Sequence, residues 1–224
     1  MKIYKIISFI TLLSLSATSV ASKGNGVWIG VFDINGHGNY DFTGLIDKNN
    51  ATAFTERAKV VYKGKIEVIK NKFELNLLMY LKDGNSFGTA QIKGKIIENN
   101  IMSGKWNTEP AKDFGNIYLI KANNEILDTG EIVNRTWSSF DIKQKQILKI
   151  DKNIISGKDK NECNYYGNIK KLNKKIYSIN LEIASCGVSD GNYHGMAHIK
   201  KENNKNTLIL NATNKNFSLF IKLQ

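Results

Sequence analysis

The sequence predicts an all-β chain of two tandem eight-stranded antiparallel meander barrels. Three observations predict it: side chains that alternate with period two, tight-turn residues between short runs, and an internal repeat offset by about a hundred residues. Alternation is plain in Phe73, Leu75, Leu77, Met79 and Leu81, with Glu74 and Asn76 between the first three. It recurs in Tyr177, Ile179, Leu181 and Ile183, with Ser178, Asn180 and Glu182 between them. Turn signals such as Asn35-Gly36, Lys48-Asn49-Asn50, Asp83-Gly84 and Asn203-Asn204 separate the runs. Long helical periodicity is absent.

The repeat is collinear. DGNSFGTAQIK (Asp83–Lys93) and DGNYHGMAHIK (Asp190–Lys200) agree at seven of eleven positions. Trp28, followed by Phe32-Asp33, answers to Trp137, followed by Phe140-Asp141. Leu45–Asn49 answers to Lys149–Asn153, Tyr62-Lys63-Gly64 to Tyr165-Tyr166-Gly167, Leu75-Asn76-Leu77 to Ile179-Asn180-Leu181, and Ile120-Lys121 to Ile221-Lys222. A first module therefore spans 24–122, a polar linker 123–134, and a second module 135–224.

The first module resolves into eight segments: Val27–Ile34, Asn39–Ile46, Ala51–Arg57, Lys59–Ile69, Lys72–Leu81, Ser86–Ile97, Asn100–Trp106 and Gly115–Lys121. The second gives Thr136–Asp141, Gln146–Ile150, Ile154–Asp159, Glu162–Lys170, Ile176–Ser185, Tyr193–Lys201, Leu208–Thr213 and Phe217–Leu223. Closing each meander removes the edges an open one exposes, and eight strands enclose just enough space for side chains or one small ligand. The expected barrels are similar in size and topology to lipocalins. A pair of small β-sandwiches is the alternative.

The N-terminus reads as a secretory signal: Lys2 and Lys5, an apolar run over Ile6–Leu15, and the small-residue site Ser19-Val20-Ala21. The run is short for a retained anchor. Cleavage after Ala21 leaves Ser22 first, with no Cys for lipidation and no other span-like stretch, so the expected location is periplasmic or secreted. Cys163 and Cys186, exported together, are expected to form a disulfide. The pair faces different registers, so the bond requires a bulge near Ser185-Cys186-Gly187. The formal charge of +12 falls to +10 without the two signal lysines; only Arg57 and Arg135 are arginines. The lysines are scattered among acids rather than interleaved with aromatics, which argues against nucleic acid and leaves an acidic envelope surface as a partner for the charge.

The repeated motif reads as a hairpin used twice. Asp-Gly fits a type I′ turn; Gly88, Ala90 and Ile92, and likewise Gly195, Ala197 and Ile199, then line an inner face. Trp28 and Trp137, Tyr62 and Tyr165, and Gly64 and Gly167 are the other structural positions that repeat. What differs between the copies points outward, so Phe87, Tyr193 and His194 are the candidate interface residues. His37, His194 and His198 are expected at the surface or in a turn. His194 and His198, roughly 13 Å apart along a strand, cannot share an ion. Asp33–Asp41 has the alternating oxygens of a calcium loop without its glycine and glutamate in register. No nucleophile elbow or serine–histidine–acid pattern appears. Catalytic, metal and cofactor residues are accordingly none.

Cys163-x-Tyr165-x-Gly167, Asn180-x-Glu182, Cys186 and Gly191-x-x-x-Gly195-x-Ala197 together resemble a pattern in uncharacterised exported proteins and lipoproteins of proteobacteria. Trp28-x-Gly30-x-Phe32 is similar to their companion module. The resemblance implies the two-module β architecture and an envelope location, and no activity. The function expected is a non-catalytic binding or interaction module with its site in the cleft between modules. The alternatives are an inhibitor or immunity protein against a toxin or cell-wall enzyme, and a carrier of a small apolar ligand inside a barrel.

Overall fold

The computed structural model describes residues 23–122, 126–128, 130, 132–139 and 145–224. The signal expected over 1–21 lies outside them, as do Phe140 and Asp141. Sixteen strands follow in chain order. The first eight are β1 (Gly26–Ile34), β2 (His37–Asp47), β3 (Asn50–Thr55), β4 (Val60–Ile69), β5 (Lys72–Leu81), β6 (Ser86–Ile97), β7 (Ile101–Glu109) and β8 (Phe114–Lys121). The second eight are β9 (Arg135–Ser138), β10 (Ile147–Asp151), β11 (Ile154–Lys158), β12 (Asn164–Lys171), β13 (Tyr177–Ala184), β14 (Gly191–Glu202), β15 (Lys205–Thr213) and β16 (Ser218–Leu223). No helix among the described residues is long and apolar enough to cross a membrane.

Barrel one is closed: β1 to β8 pair in order, and β1 returns to β8 with Trp28 opposite Lys121 and Phe32 opposite Ile117. Barrel two is nearly closed. Its strands pair in order from β9 to β16. Its two ends meet where Ser139 bridges Leu223 and where Ser138 and Gln224 exchange backbone hydrogen bonds of 2.9 and 2.8 Å. Sequential pairing of all eight strands in each module replaces the sandwich alternative.

Alternation decides which residues fill each barrel. Phe73, Leu75, Leu77 and Met79 of β5 enter the first core with Ala90 and Ile92 of β6. Tyr177, Ile179, Leu181 and Ile183 enter the second with Ala197 and Ile199. The repeated tryptophans play one part twice. Both are fully buried. Trp28 donates its indole N–H to the Gly24 carbonyl at 2.7 Å, and Trp137 to that of Ile132 at 3.3 Å. Lys121 Nζ sits 5.5 Å from the first ring's centre and the Arg135 guanidinium 5.1 Å from the second. Ile132, from the expected linker, is itself a core residue of barrel two, and Ile126 bridges to Lys200.

The Tyr-x-Gly pairs repeat in geometry too. A Cβ on Gly64 would overlap the Asn76 carbonyl, and one on Gly167 the Asn180 carbonyl, which is the equivalent backbone atom. Strands β4 and β5, like β12 and β13, approach too closely there for any other residue.

The Asp-Gly expectation needs correction. In module one only Asp83 has a left-handed backbone (φ 54°), and Gly84 does not, so the turn is not type I′. In module two Asp190 is extended (φ −61°, ψ 143°) and leads into β14; the reversal is made upstream by a 3₁₀ turn over Gly187–Ser189. The two copies also differ in register: Gly88 faces Met79, whereas Gly195 faces Ile179, the counterpart of Leu75. Gly195 follows Leu181 by 14 residues where Gly88 follows Leu77 by 11, and the longer connection slides β14 along β13.

The barrels pack side against side. Phe54, Val61 and Tyr80 on the outside of barrel one meet Ile209 and Phe220 of barrel two. Val27, Leu45 and Ala122 form a second patch with Ile126, Ile176 and Met196. The polar contacts across the seam include Lys63 Nζ on the His194 carbonyl (3.1 Å), Asn173 Nδ2 on Asp47 (3.2 Å) and Lys222 Nζ on Glu56 (3.1 Å).

Gly64→Ala and Gly167→Ala are each expected to lower stability by about 2 kcal/mol, because the methyl group must displace backbone rather than a flexible side chain. Urea denaturation of the two variants checks this, and a cost in only one of them would break the structural equivalence of the repeat.

Candidate functional site

The last strand of barrel two has a free edge, and free edges need partners. At one end β9 supplies them. At the other they come from barrel one, through the turn between β5 and β6. Ser218 N–H donates to the Gly84 carbonyl (2.8 Å), and Ser86 N–H to that of Asn216 (3.0 Å). The Ser218 hydroxyl donates to the Leu81 carbonyl (2.6 Å), and Phe220 N–H to the Asp83 carboxylate (2.8 Å). Asn85 bridges Phe217. Asp83-Gly84-Asn85, the start of the repeated motif, is thus a clasp between modules.

A cavity of about 370 Å³ opens beside this clasp, at the mouth of barrel two. The loops at that end of barrel two line it together with Asp83, so both modules build it. Burial holds the Asp83 carboxyl above the ordinary carboxylate range, against the opposing effects of the Phe220 N–H and Lys82. One Asp83 oxygen serves Phe220; the other has no hydrogen bond among the described residues.

Asp159 organises the opposite wall. Its Oδ1 accepts the N–H groups of Asn161 (2.8 Å) and Cys163 (3.2 Å), and its Oδ2 accepts the Tyr165 hydroxyl (3.0 Å). Burial, and then the charge of Asp159, push the Tyr165 phenol up, so it stays protonated. Tyr193 donates its hydroxyl to the Ser189 carbonyl at 2.9 Å. Both phenolic protons are committed, and the lining sets the carboxylates of Asp83 and Asp159 among the donor-bearing side chains of Lys160, Asn161 and Gln146. It suits a polar group that both donates and accepts hydrogen bonds.

The disulfide Cys163–Cys186 braces this wall, with Cα atoms 4.9 Å apart. The expected bulge is replaced by a turn: the β12–β13 ladder runs without a register shift to Asn164 opposite Ala184, and beyond its end Ser185 (φ 66°) and Gly187 (φ 64°) turn the chain on either side of Cys186. Asp190 accepts the Cys186 N–H at 2.6 Å. The second copy of the motif therefore closes the disulfide loop, where the first clasps the neighbouring barrel.

The three candidate interface residues do not form one surface. Phe87 is 43% exposed on the outside of barrel one, as expected. Tyr193 is 1% exposed and belongs to the core of barrel two, which corrects its expected outward position. It shares strand parity with Gly195 and Ala197, so it points inward with them. His194 is exposed and contacts Asn180 Oδ1 at 2.6 Å through Nδ1.

The surface assignment holds for His37, which opens β2, and fails for His198. His198 is 1% exposed because barrel one covers the outward face of β14, and its ring lies 6.2 Å from that of Phe54. Neither of its nitrogens has a hydrogen-bond partner; nor do the buried side chains of Thr52, Asn211 and Thr213 in the same seam. The oxygens of Asp33–Asp41 serve the backbone instead of an ion: Asp33 accepts from Gly36 and Asn116, Asp41 from Glu56 and Arg57. Among the described residues no cluster of three or more His, Cys, Asp or Glu is arranged to hold a metal.

Asp83, Asp159 and His198 were not singled out by sequence reasoning as site residues. Asp83 was hidden by its reading as turn scaffold. Asp159 carried a local signal, a capping-type Asp four residues before Cys163.

Two outcomes are expected. Burial pushes the His198 pKa down to about 3, from an ordinary 6.5. The folded seam therefore binds fewer protons than the opened one below pH 6.5, and it weakens as pH falls through that window, by about 2 kcal/mol at pH 5. Denaturant midpoints at pH 7.5 and pH 5 should show this loss, and His198→Phe should remove it. Cys163→Ser should lower the stability of barrel two by about 3 kcal/mol through loop-closure entropy; alkylation without reductant should label no thiol in the unmodified protein.

Comparison with known proteins gives no match: no family model, no curated protein and no solved structure is significantly similar to this chain.

Proposed function

We propose that the protein is an exported, non-catalytic binding protein of the bacterial envelope, and that its partner engages the mouth of barrel two. The family resemblance of the Cys-x-Tyr-x-Gly module belongs to the same proposal. The observation that carries it is the cavity of about 370 Å³ built jointly by Asp83 of one module and the loops of the other. Concave sites between modules, with a few convergent polar groups on a rigid frame, are where binding concentrates. The mixed polar lining, with the carboxylates of Asp83 and Asp159 beside Lys160, Asn161 and Gln146, favours a partner that inserts a group able to donate and accept hydrogen bonds.

The carrier alternative gains no support from barrel one. The void among Trp28, Phe42, Leu75 and Leu119 there is about 10 Å³, no larger than a water site. An inhibitor or immunity role remains a special case of the binding reading, in which the inserted group belongs to a protein target.

Asn161 is exposed at the rim and uses only its backbone N–H structurally, so a large side chain there fills the mouth without removing a bond. The protein immobilised from solution should retain a specific component of envelope extract, identified by mass spectrometry. Asn161→Trp, with an unchanged melting temperature, should lose it. Retention by both proteins, or by neither, overturns the mouth as the site.

A further inference from the structure

The outside of barrel one carries a second feature that the mouth does not use. Cross-strand pairing aligns four isoleucines in one row: Ile29 beside Ile120, Ile120 beside Ile101, and Ile101 beside Ile97. The next row continues it, with Val31 beside Tyr118. All alternate with inward core residues, so they point away from barrel one; Ile29 is half-buried against the seam patch around Val27 and Met196 and Ile101 is half-buried, so the open part of the row is Ile97 and Ile120. Ile97 is 46% and Ile120 51% exposed, and Val31 and Tyr118 are similarly open.

Lysines border this patch. Ser103, beside Tyr118, pairs with Lys95, and Lys95 with Lys72; one row further, Lys105 pairs with Lys93. Of these, only Lys93 is in an ion pair, with Glu74 at 3.6 Å. Glu98 lies in the β6–β7 turn next to Ile97, the Asp33 carboxylate is engaged by Asn116, and Glu74, beside Lys93, is followed in its row by Glu67.

We infer that this face docks on the surface of an anionic lipid bilayer, through Ile97, Ile120, Val31 and Tyr118 and their lysine border. Three properties favour that occupant. The face is the convex outside of a closed barrel, so its aliphatic side chains protrude and suit a soft acceptor rather than a matching rigid pocket. Its composition is Ile, Val, Tyr and Lys without Arg or Trp, whereas protein hot spots favour Trp, Tyr and Arg; lysine stems can lie along the interface with the ammonium among headgroup phosphates. A second copy of this chain is disfavoured, because a two-fold contact would set the lysine border against its own image. The barrel interior is apolar and filled, the reverse of a membrane-spanning barrel, so the contact is peripheral.

Co-sedimentation with phosphatidylcholine vesicles, with and without phosphatidylglycerol, tests this. The purified protein should bind the anionic vesicles, with affinity falling between about 0.05 M and about 0.5 M salt as screening shortens. Ile97→Ser/Ile120→Ser, which leaves the charge unchanged, should weaken binding at least about tenfold. Lys95→Glu/Lys105→Glu should do so as well. Lys149→Glu/Lys158→Glu, the same charge change placed on barrel two, should bind within about twofold of the unmodified protein. No binding to anionic vesicles overturns the inference. So does equal weakening by both lysine pairs, or full binding by the isoleucine variant, since either would reduce the effect to net charge. Sedimentation velocity supplies the remaining outcome: a dimer abolished by the isoleucine substitutions would assign the face to a second copy instead.

Discussion

The arrangement of the molecule depends on how the free edge of β16 is satisfied. Barrel one closes on itself: β1 and β8 pair from Trp28–Lys121 to Phe32–Ile117, and past that ladder the Asp33 carboxylate takes the Asn116 N–H and Asn35 bonds the Phe114 carbonyl. Barrel two closes at Ser138, Ser139 and Gln224, and the other half of its last strand is completed by the turn after β5. An unpaired, buried backbone donor costs about 1–3 kcal/mol, so the two N–H groups of Ser218 and Phe220 tie barrel two to its neighbour. Asp83 takes part through its side chain, accepting as a neighbouring strand's carbonyl would. Its raised affinity for a proton is the cost of placing a carboxylate there.

That clasp also makes the cavity. Had β16 paired with β9 throughout, the mouth would be walled by a continuous ladder. With the edge passed to barrel one, the loops bearing Asp159 and the disulfide face a turn from the other module, and a polar space lies between them. The seam next to it is less well matched. Phe54, Val61, Tyr80, Ile209 and Phe220 pack as a core, but His198, Asn211, Thr52 and Thr213 are buried beside them without partners. Interfaces between modules are commonly more polar than cores. Here that polarity leaves a histidine without partners in the seam, the group whose protonation is expected to weaken it in acid.

The chain repeats its motif on two barrels, and the copies have different roles. Tryptophans, Tyr-x-Gly crossings and the small inner residues Ala90 and Ala197 do the same work in both barrels. The Asp-Gly dipeptides do not. One supplies the clasp and the other closes a disulfide loop, after a longer connection that moved β14 along its partner.

By itself the sequence determined the strands and their inward faces, because period-two alternation and turn residues are local properties written residue by residue. Trp28, Gly64, Ala90 and their counterparts were legible for that reason, and so was the bond between Cys163 and Cys186, though it is reached through a turn rather than a bulge. The outward faces were decided only by tertiary structure. Alternation says that His198 and Met196 point away from their own barrel; it does not say whether water or another barrel lies there. In the same way Asp83 reads as a turn residue until β16 arrives beside it, some 137 residues later in the chain. Burial on an outer face and pairing at a free edge are set by which surfaces meet, a relation between distant segments that no local pattern encodes.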